Sequence, residues 1–86
     1  MDVEVITAQH CIFAGIVTSA AFRTTEATTE LQAENDIYLC LPEISGLILR
    51  CDSETRAFQL RTAVASFSNG KLTVVAEEVF PLIAGG

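Results

Sequence analysis

Apolar and polar residues alternate along most of this chain with the two-residue period of β-strands. Val3-Glu4-Val5 and Phe58-Gln59-Leu60 alternate, and Lys71-Leu72-Thr73-Val74 does so before running into Val75-Ala76. Gly46-Leu47-Ile48-Leu49 is a short continuous apolar run, of the kind covered on both faces of a sheet. β-Branched and aromatic side chains dominate these runs, as a pleated, half-buried surface prefers. The spacing predicts short strands at 3–7, 12–13, 16–22, 31–33, 38–41, 47–51, 56–60, and 63–67 in a hairpin with 72–77. Between them stand turn signals. In Ser68-Asn69-Gly70-Lys71, Asn-Gly supplies the two positive φ angles of a type I′ hairpin. Asp52-Ser53-Glu54-Thr55 is a second polar tip, and Pro42-Glu43-Ile44-Ser45-Gly46 a third break.

No segment carries an apolar stripe at helical spacing. The stretch 24–35 holds Glu, Gln and Ala, but its apolar residues do not line up, and it reads as an acidic loop with a short strand at Leu31. Regularly spaced short strands with hairpin turns give an all-β fold, an antiparallel β-sandwich or flattened barrel of about 8–10 short strands. With no internal repeat and no linker, residues 1–86 are expected to form one domain. Its ordered core is expected at about 3–78, with a short tail at 79–86. The chain starts on Met1 and ends on Gly85-Gly86, and is read as complete, without an appended second domain.

Composition narrows the function. Half of the 86 residues are apolar, enough for one core. The net charge of −6, from 11 acidic and 5 basic side chains, repels a phosphate backbone and argues against nucleic acid as a partner. Arg50, Arg56 and Arg61 interleave with Asp52 and Glu54, which reads as cross-strand charge pairing. No apolar run approaches the roughly 20 residues a membrane-spanning helix needs. The start Met1-Asp2-Val3-Glu4 has the opposite charge of a targeting peptide, so the protein is expected to stay where it is made or follow a partner. Three cysteines, Cys11, Cys40 and Cys51, make an odd count without CxxC spacing. Each sits among apolar residues and reads as a small buried hydrophobe in a reducing compartment, with one fortuitous pair the alternative.

Catalytic chemistry finds little purchase. The single His10 cannot build a His-based metal site, and it sits beside Gln9 in a turn with no nucleophile to serve. Cys11 follows it directly, but sequence neighbours on a strand point to opposite faces. The glycines are isolated, so there is no phosphate loop. No Asp/Asn series with the required Gly makes a calcium loop. No catalytic, cofactor-binding or metal-binding residue is assigned, and a non-enzymatic docking role is expected.

The strands in order resemble the N-terminal domain of the ε subunit of F-type ATP synthases. Val3-Glu4-Val5-Ile6-Thr7 followed by Ile12-Phe13-Ala14-Gly15-Ile16-Val17-Thr18-Ser19 is similar to that family's opening, a strand ending "VVTP" leading into "FSGEVxSV". Ser45-Gly46-Leu47-Ile48-Leu49-Arg50 resembles "PGxLRI". The stretch Phe67-Ser68-Asn69-Gly70-Lys71-Leu72-Thr73-Val74-Val75-Ala76-Glu77-Glu78 resembles "LEVxxNxVTVLAEEA", the most specific match. The middle departs. Where the family reads "GTEGELGVLPGHAPLL", residues 25–40 keep Glu26 and Glu30-Leu31 but none of the glycines, and Ile37 replaces the histidine. The family's "SGGF" is Arg61-Thr62-Ala63-Val64 here.

The resemblance implies a β-sandwich of the central stalk that binds the γ subunit and the ring of c subunits. It would act as a clamp that couples the two in proton-driven ATP synthesis, peripheral to the cytoplasmic side of a membrane and associated with it only through the complex. Carried over position by position, the ring side falls on Glu26, Glu30 and Leu31. The γ side falls on Thr7, Ile37, Tyr38 and Leu41, with Tyr38 the best anchor as a large amphipathic aromatic. Family members typically add a C-terminal helical hairpin that can inhibit ATP hydrolysis; this chain stops where that hairpin would begin. The alternatives are a diverged stand-alone adaptor or regulator of the same fold and, further off, a sandwich that binds a small molecule between its sheets.

Overall fold

The period-two pattern is realised as seven strands. They are β1 (Asp2–Ile6), β2 (Cys11–Ile16), β3 (Ser19–Arg23), β4 (Thr28–Glu30), β5 (Ile37–Arg50), β6 (Thr55–Ser68) and β7 (Lys71–Leu82). The computed structural model describes residues 1–31 and 36–82, which leaves positions 32 and 33 of the expected strand 31–33, and 83–86 of the expected tail, outside the described residues. The strands form one mixed sheet in the order β2-β1-β7-β6-β5-β3-β4. The all-β class is as expected, with fewer and longer strands. The expected strands 38–41 and 47–51 are one strand, as are 56–60 and 63–67. The expected strand 16–22 is instead broken at Val17-Thr18, where the chain steps between layers. Strand structure also runs to Leu82, into what the pattern marked as tail. One pairing is not antiparallel: β1 lies parallel to β7, with Val3 opposite Leu72 and Val5 opposite Val74.

The sheet is folded over on itself. β6 has 14 residues and would measure about 45 Å if straight at roughly 3.4 Å per residue. The molecule spans only 29 × 29 × 27 Å. The bend is built at a β-bulge. Leu41 pairs with Ala63 and Ile44 with Arg61, so Pro42 and Glu43 of β5 together oppose Thr62 of β6. Thr62 takes a φ of 49°, the left-handed region. Pro42 has no N–H to give to a ladder, which suits it to a bulge. The first layer then comprises β2, β1 and the adjoining parts of β7, β6 and β5; the second comprises their other parts with β3 and β4. Phe13 on β2 and Phe58 on β6 have ring centroids 6.2 Å apart. In a flat sheet two intervening strands would hold β2 and β6 about 14 Å apart.

Between the layers lies the core, in which Phe22, Phe58, Phe67, Leu47, Leu49 and Leu72 are all but fully buried. The type I′ turn is as expected, with Asn69 at φ 53° and Gly70 at φ 74°. Two surface expectations change. Cys11 and Cys40 are exposed, Cys51 is half-buried, and all three are free thiols. An apolar neighbourhood in sequence did not predict their burial, because on a strand the neighbours of an outward residue face inward. The Arg/Asp/Glu interleaving also resolves otherwise. The ion pair among the described residues is Arg61 to Glu78, at 3.0 Å, directly opposite each other on β6 and β7. Arg56 instead lies over the Phe13 and Phe58 rings, 5.3 and 5.7 Å from their centroids, a cation–π contact that closes one side of the core.

Candidate docking surface

An antiparallel sheet with one face on a core ordinarily turns polar side chains outward. The first layer departs from this along one row. Its register places Cys40 of β5 opposite Val64 of β6, Val64 opposite Val75 of β7, Val75 beside Ile6 of β1, and Ile6 beside Cys11 of β2. Cys40, Val64, Val75 and Ile6 belong to the outward set, because their sequence neighbours Leu41, Ala63, Ala65, Val74, Ala76 and Val5 are buried inward, and Cys11, past the register shift opposite Val5 and Ile6, is itself exposed. At about 4.8 Å per strand this apolar row crosses five strands and about 19 Å. The next row outward holds Tyr38, Ser66, Thr73, Glu4 and Ala14, and Tyr38 stands 69% exposed beside Cys40. Ile16, 77% exposed, closes the far corner opposite Asp2. A contiguous apolar face of this kind, rimmed by polar groups, marks a protein-binding surface more than scattered exposed residues would.

The seven residues assigned from the family resemblance fall into separate groups. Tyr38 is an exposed anchor on the apolar face. Ile37 is half-buried and Leu41 belongs to the core, both on the inward side of β5. Thr7 has its hydroxyl engaged locally. It accepts from the N–H groups of His10 and Gln9 at 3.1 and 3.3 Å, while the Thr7 N–H donates to the His10 carbonyl at 2.9 Å. His10 is thereby an exposed turn residue, as expected. On the other side, Glu26 sits in a turn closed by Thr24, whose hydroxyl accepts from the N–H of Glu26 and of Ala27 at 3.3 and 3.2 Å. Glu30 ends the three-residue edge strand β4 and is exposed. Leu31 is buried, and its N–H donates to the Ala20 carbonyl at 3.0 Å. Glu26 and Glu30 therefore present charge at one end of the second layer, whereas Leu31 anchors them from inside.

The outward row itself, Ile6, Cys11, Val64 and Val75 with Cys40, was not assigned from the sequence. Its signal was present at each strand as an apolar residue of the wrong parity, but only the five-strand register brings these residues into one surface. Among the described residues no group of three or more His, Cys, Asp and Glu is placed to hold a metal ion. No helix of the described residues is long and apolar enough to cross a membrane.

No protein-family model matches the sequence, and no curated protein matches it. Among solved structures, the fold is similar to a chain in the cryo-EM structure of the Euglena gracilis mitochondrial ATP synthase, determined as OSCP/F1/c-ring in rotational state 1. The likeness has a TM-score of 0.77 at 15% identity and covers 92% of this chain. This protein spans about half of that chain, 51%. At this identity the two share a fold: a folded-over, all-β sheet found in a chain of a rotary ATP synthase structure.

Proposed function

We propose that this protein is a non-catalytic docking subunit of a rotary F-type ATP synthase, an ε-like member of the central stalk that binds γ and the ring of c subunits and holds them in register during proton-driven ATP synthesis. The observation that carries the reading is the apolar row from Cys40 through Val64 and Val75 to Ile6 and Cys11, flanked by Tyr38. A protein working alone would lose solubility by exposing it, whereas a subunit would cover it. The strand-by-strand resemblance to ε and the shared fold with an ATP synthase chain support the same assignment. In this reading Tyr38 and the apolar row face γ, with Thr7, Ile37 and Leu41 shaping that side from the turn and the core. Glu26 and Glu30, held by Leu31, face the ring.

The test is co-purification of the tagged protein from native membranes. Enrichment of γ and c subunits, lost when Val64 and Val75 are both changed to Lys, is the expected result. Absence of both subunits would remove the stalk reading. A second reading, a diverged stand-alone adaptor, draws on the replaced loop at 25–40 and on the lack of any matching family model. It expects the same double variant to lose a different set of proteins.

A further inference from the structure

β2 and β4 are the outermost strands in the sheet order, and they are guarded unequally. An edge strand offers unpaired N–H and C=O groups to any other strand, which charges, prolines or a very short length ordinarily prevent. β4 has three residues and ends in Glu30. β2 is the six-residue run Cys11-Ile12-Phe13-Ala14-Gly15-Ile16, with no charge and no proline. The phase of its hydrogen bonds tells which groups are free. Met1 and Val17 exchange both bonds: the Val17 N–H donates to the Met1 carbonyl at 2.9 Å, and the Met1 ammonium donates to the Val17 carbonyl at 3.1 Å. Bonding direction alternates along a strand, so Gly15 also bonds to Val3 of β1, whereas Ala14 and Ile16 aim their N–H and C=O groups away from β1. Among the described residues β2 pairs with β1 alone, and Ala14 and Ile16 are exposed.

We propose that this edge pairs with the same edge of a second copy of the chain, antiparallel about a two-fold axis at Gly15. The second copy is the occupant that fits, because a strand without charge or proline is as good a ligand as it is a template. In this register Ala14 stands opposite the second copy's Ile16, and Ile16 opposite its Ala14. The two pairs use both free N–H groups and both free carbonyls of each copy, so the contact closes on itself. Each Ile16 comes to rest beside an alanine. On the axis, where the two backbones approach most closely, stands Gly15, and its own Phe13 ring already covers the place of a Cβ at 3.5 Å. Charge does not oppose the seam. Glu4 lies beside Ala14 and Asp2 beside Ile16, so the facing carboxylates are three strand spacings apart, about 14 Å. Screening at physiological salt takes effect beyond about 8 Å. The inference goes beyond the docking reading and does not depend on it.

The experiment is sedimentation equilibrium of the whole chain, under reducing conditions that keep the exposed Cys11 from linking copies. A seam this short is a small, transient interface, so the mass should rise from monomer towards dimer between about 10 μM and about 1 mM. The rise should be steeper at high salt, since each copy carries a net charge of −6. Ala14→Pro removes a free N–H that the fold does not use, at an edge position that accepts proline. It should weaken the dimer about tenfold or more, because two bonds are lost per pair. Ile16→Glu should weaken it as well, by placing a carboxylate at the seam. In the unsubstituted protein the amides of Ala14 and Ile16 should gain hydrogen-exchange protection with concentration, while that of Gly15, bonded within the chain, stays constant. A monomer at every concentration overturns the proposal and leaves the edge to a strand of another protein. So does a dimer that forms without protection at Ala14 and Ile16, or one that both substitutions leave unchanged. Since no ATP synthase subunit takes part, failure here is separate from failure of the co-purification test.

Discussion

Thr62 is the residue most at odds with its own backbone, and replacing it by glycine measures what the bend in the sheet costs. A φ of 49° places a β-branched side chain in the left-handed region, where an L-residue loses about 1–2 kcal/mol relative to its ordinary wells. Glycine removes that cost but gives back about 0.5–1 kcal/mol through the extra freedom of its unfolded chain. Thr62 also donates its hydroxyl to the Pro42 carbonyl at 3.4 Å. A bond that long and exposed contributes at most a few tenths of a kcal/mol. The central balance for Thr62→Gly is a stabilisation of about 0.5 kcal/mol, or a Tm rise of about 2–4 °C in a domain of this size. Asparagine accepts the same φ at lower cost than other residues with a Cβ, so Thr62→Asn should fall between the two. Thr62→Ala keeps the Cβ and loses the hydroxyl, and should gain nothing. Thermal and urea unfolding followed by circular dichroism order the four proteins. An unchanged or lower Tm for Thr62→Gly, with a native spectrum, would refute the claim that strain sits at the bulge.

Other positions test the turn, the core and the surface. Asn69→Val puts a second β-branched residue at positive φ (53° at Asn69) and should cost about 1–2 kcal/mol in urea unfolding. Gly70→Ala meets no atom within 4 Å, so its loss, about 1 kcal/mol, should be a backbone effect alone and stay the same at any salt concentration. Phe58→Ala removes a buried ring that touches Phe13 and lies under Arg56; a loss of about 3–5 kcal/mol should leave most of the chain unfolded at room temperature, read as collapsed amide-proton dispersion. Tyr38→Ala, at an exposed site, should change stability by less than about 0.5 kcal/mol while reducing recovery of γ in the pull-down. Equal recovery would take Tyr38 out of the interface.

How much of this could be read in the sequence depends on the range of the interaction that decides each feature. The hairpin at Asn69-Gly70 was legible because φ preference is local. The inward positions of β1 and β7 were legible because alternation alone assigns Val3, Val5, Leu72 and Val74 to one face. The long strands were not. Pro42-Glu43 and Arg61-Thr62 look like strand ends, and only their placement opposite each other makes them a bulge through which the ladder resumes. The parallel pairing of β1 with β7 joins opposite ends of the chain and leaves no mark in either strand. For the candidate sites the same limit holds. Tyr38, Glu26 and Glu30 were picked by resemblance and are exposed, but Leu41, by its strand parity, and Leu31, just past the end of β4, are buried in the core although both were placed at partners. The outward row needed four registers at once.

The bulge also bears on the coupling role proposed above. β5, β6 and β7 each run from one layer into the other as a single strand, with the ladder broken only at the bulge, so the apolar row of the first layer and the acidic end of the second are joined by strand backbone and not by a linker. In the proposed coupling role, a partner seated on Val64 and Val75 and another held near Glu26 and Glu30 would then keep a fixed relative orientation, because bending between them means breaking ladder bonds on both sides of Thr62. Two separate sheets tied by loops would leave that angle soft. The strain at Thr62 is in this light the local cost of a stiff corner. It follows that Thr62→Gly, which relieves the strain, should raise Tm while speeding hydrogen exchange of the amides at 61–63. Protection there that rises together with Tm would mean that the corner owes its stiffness to packing alone.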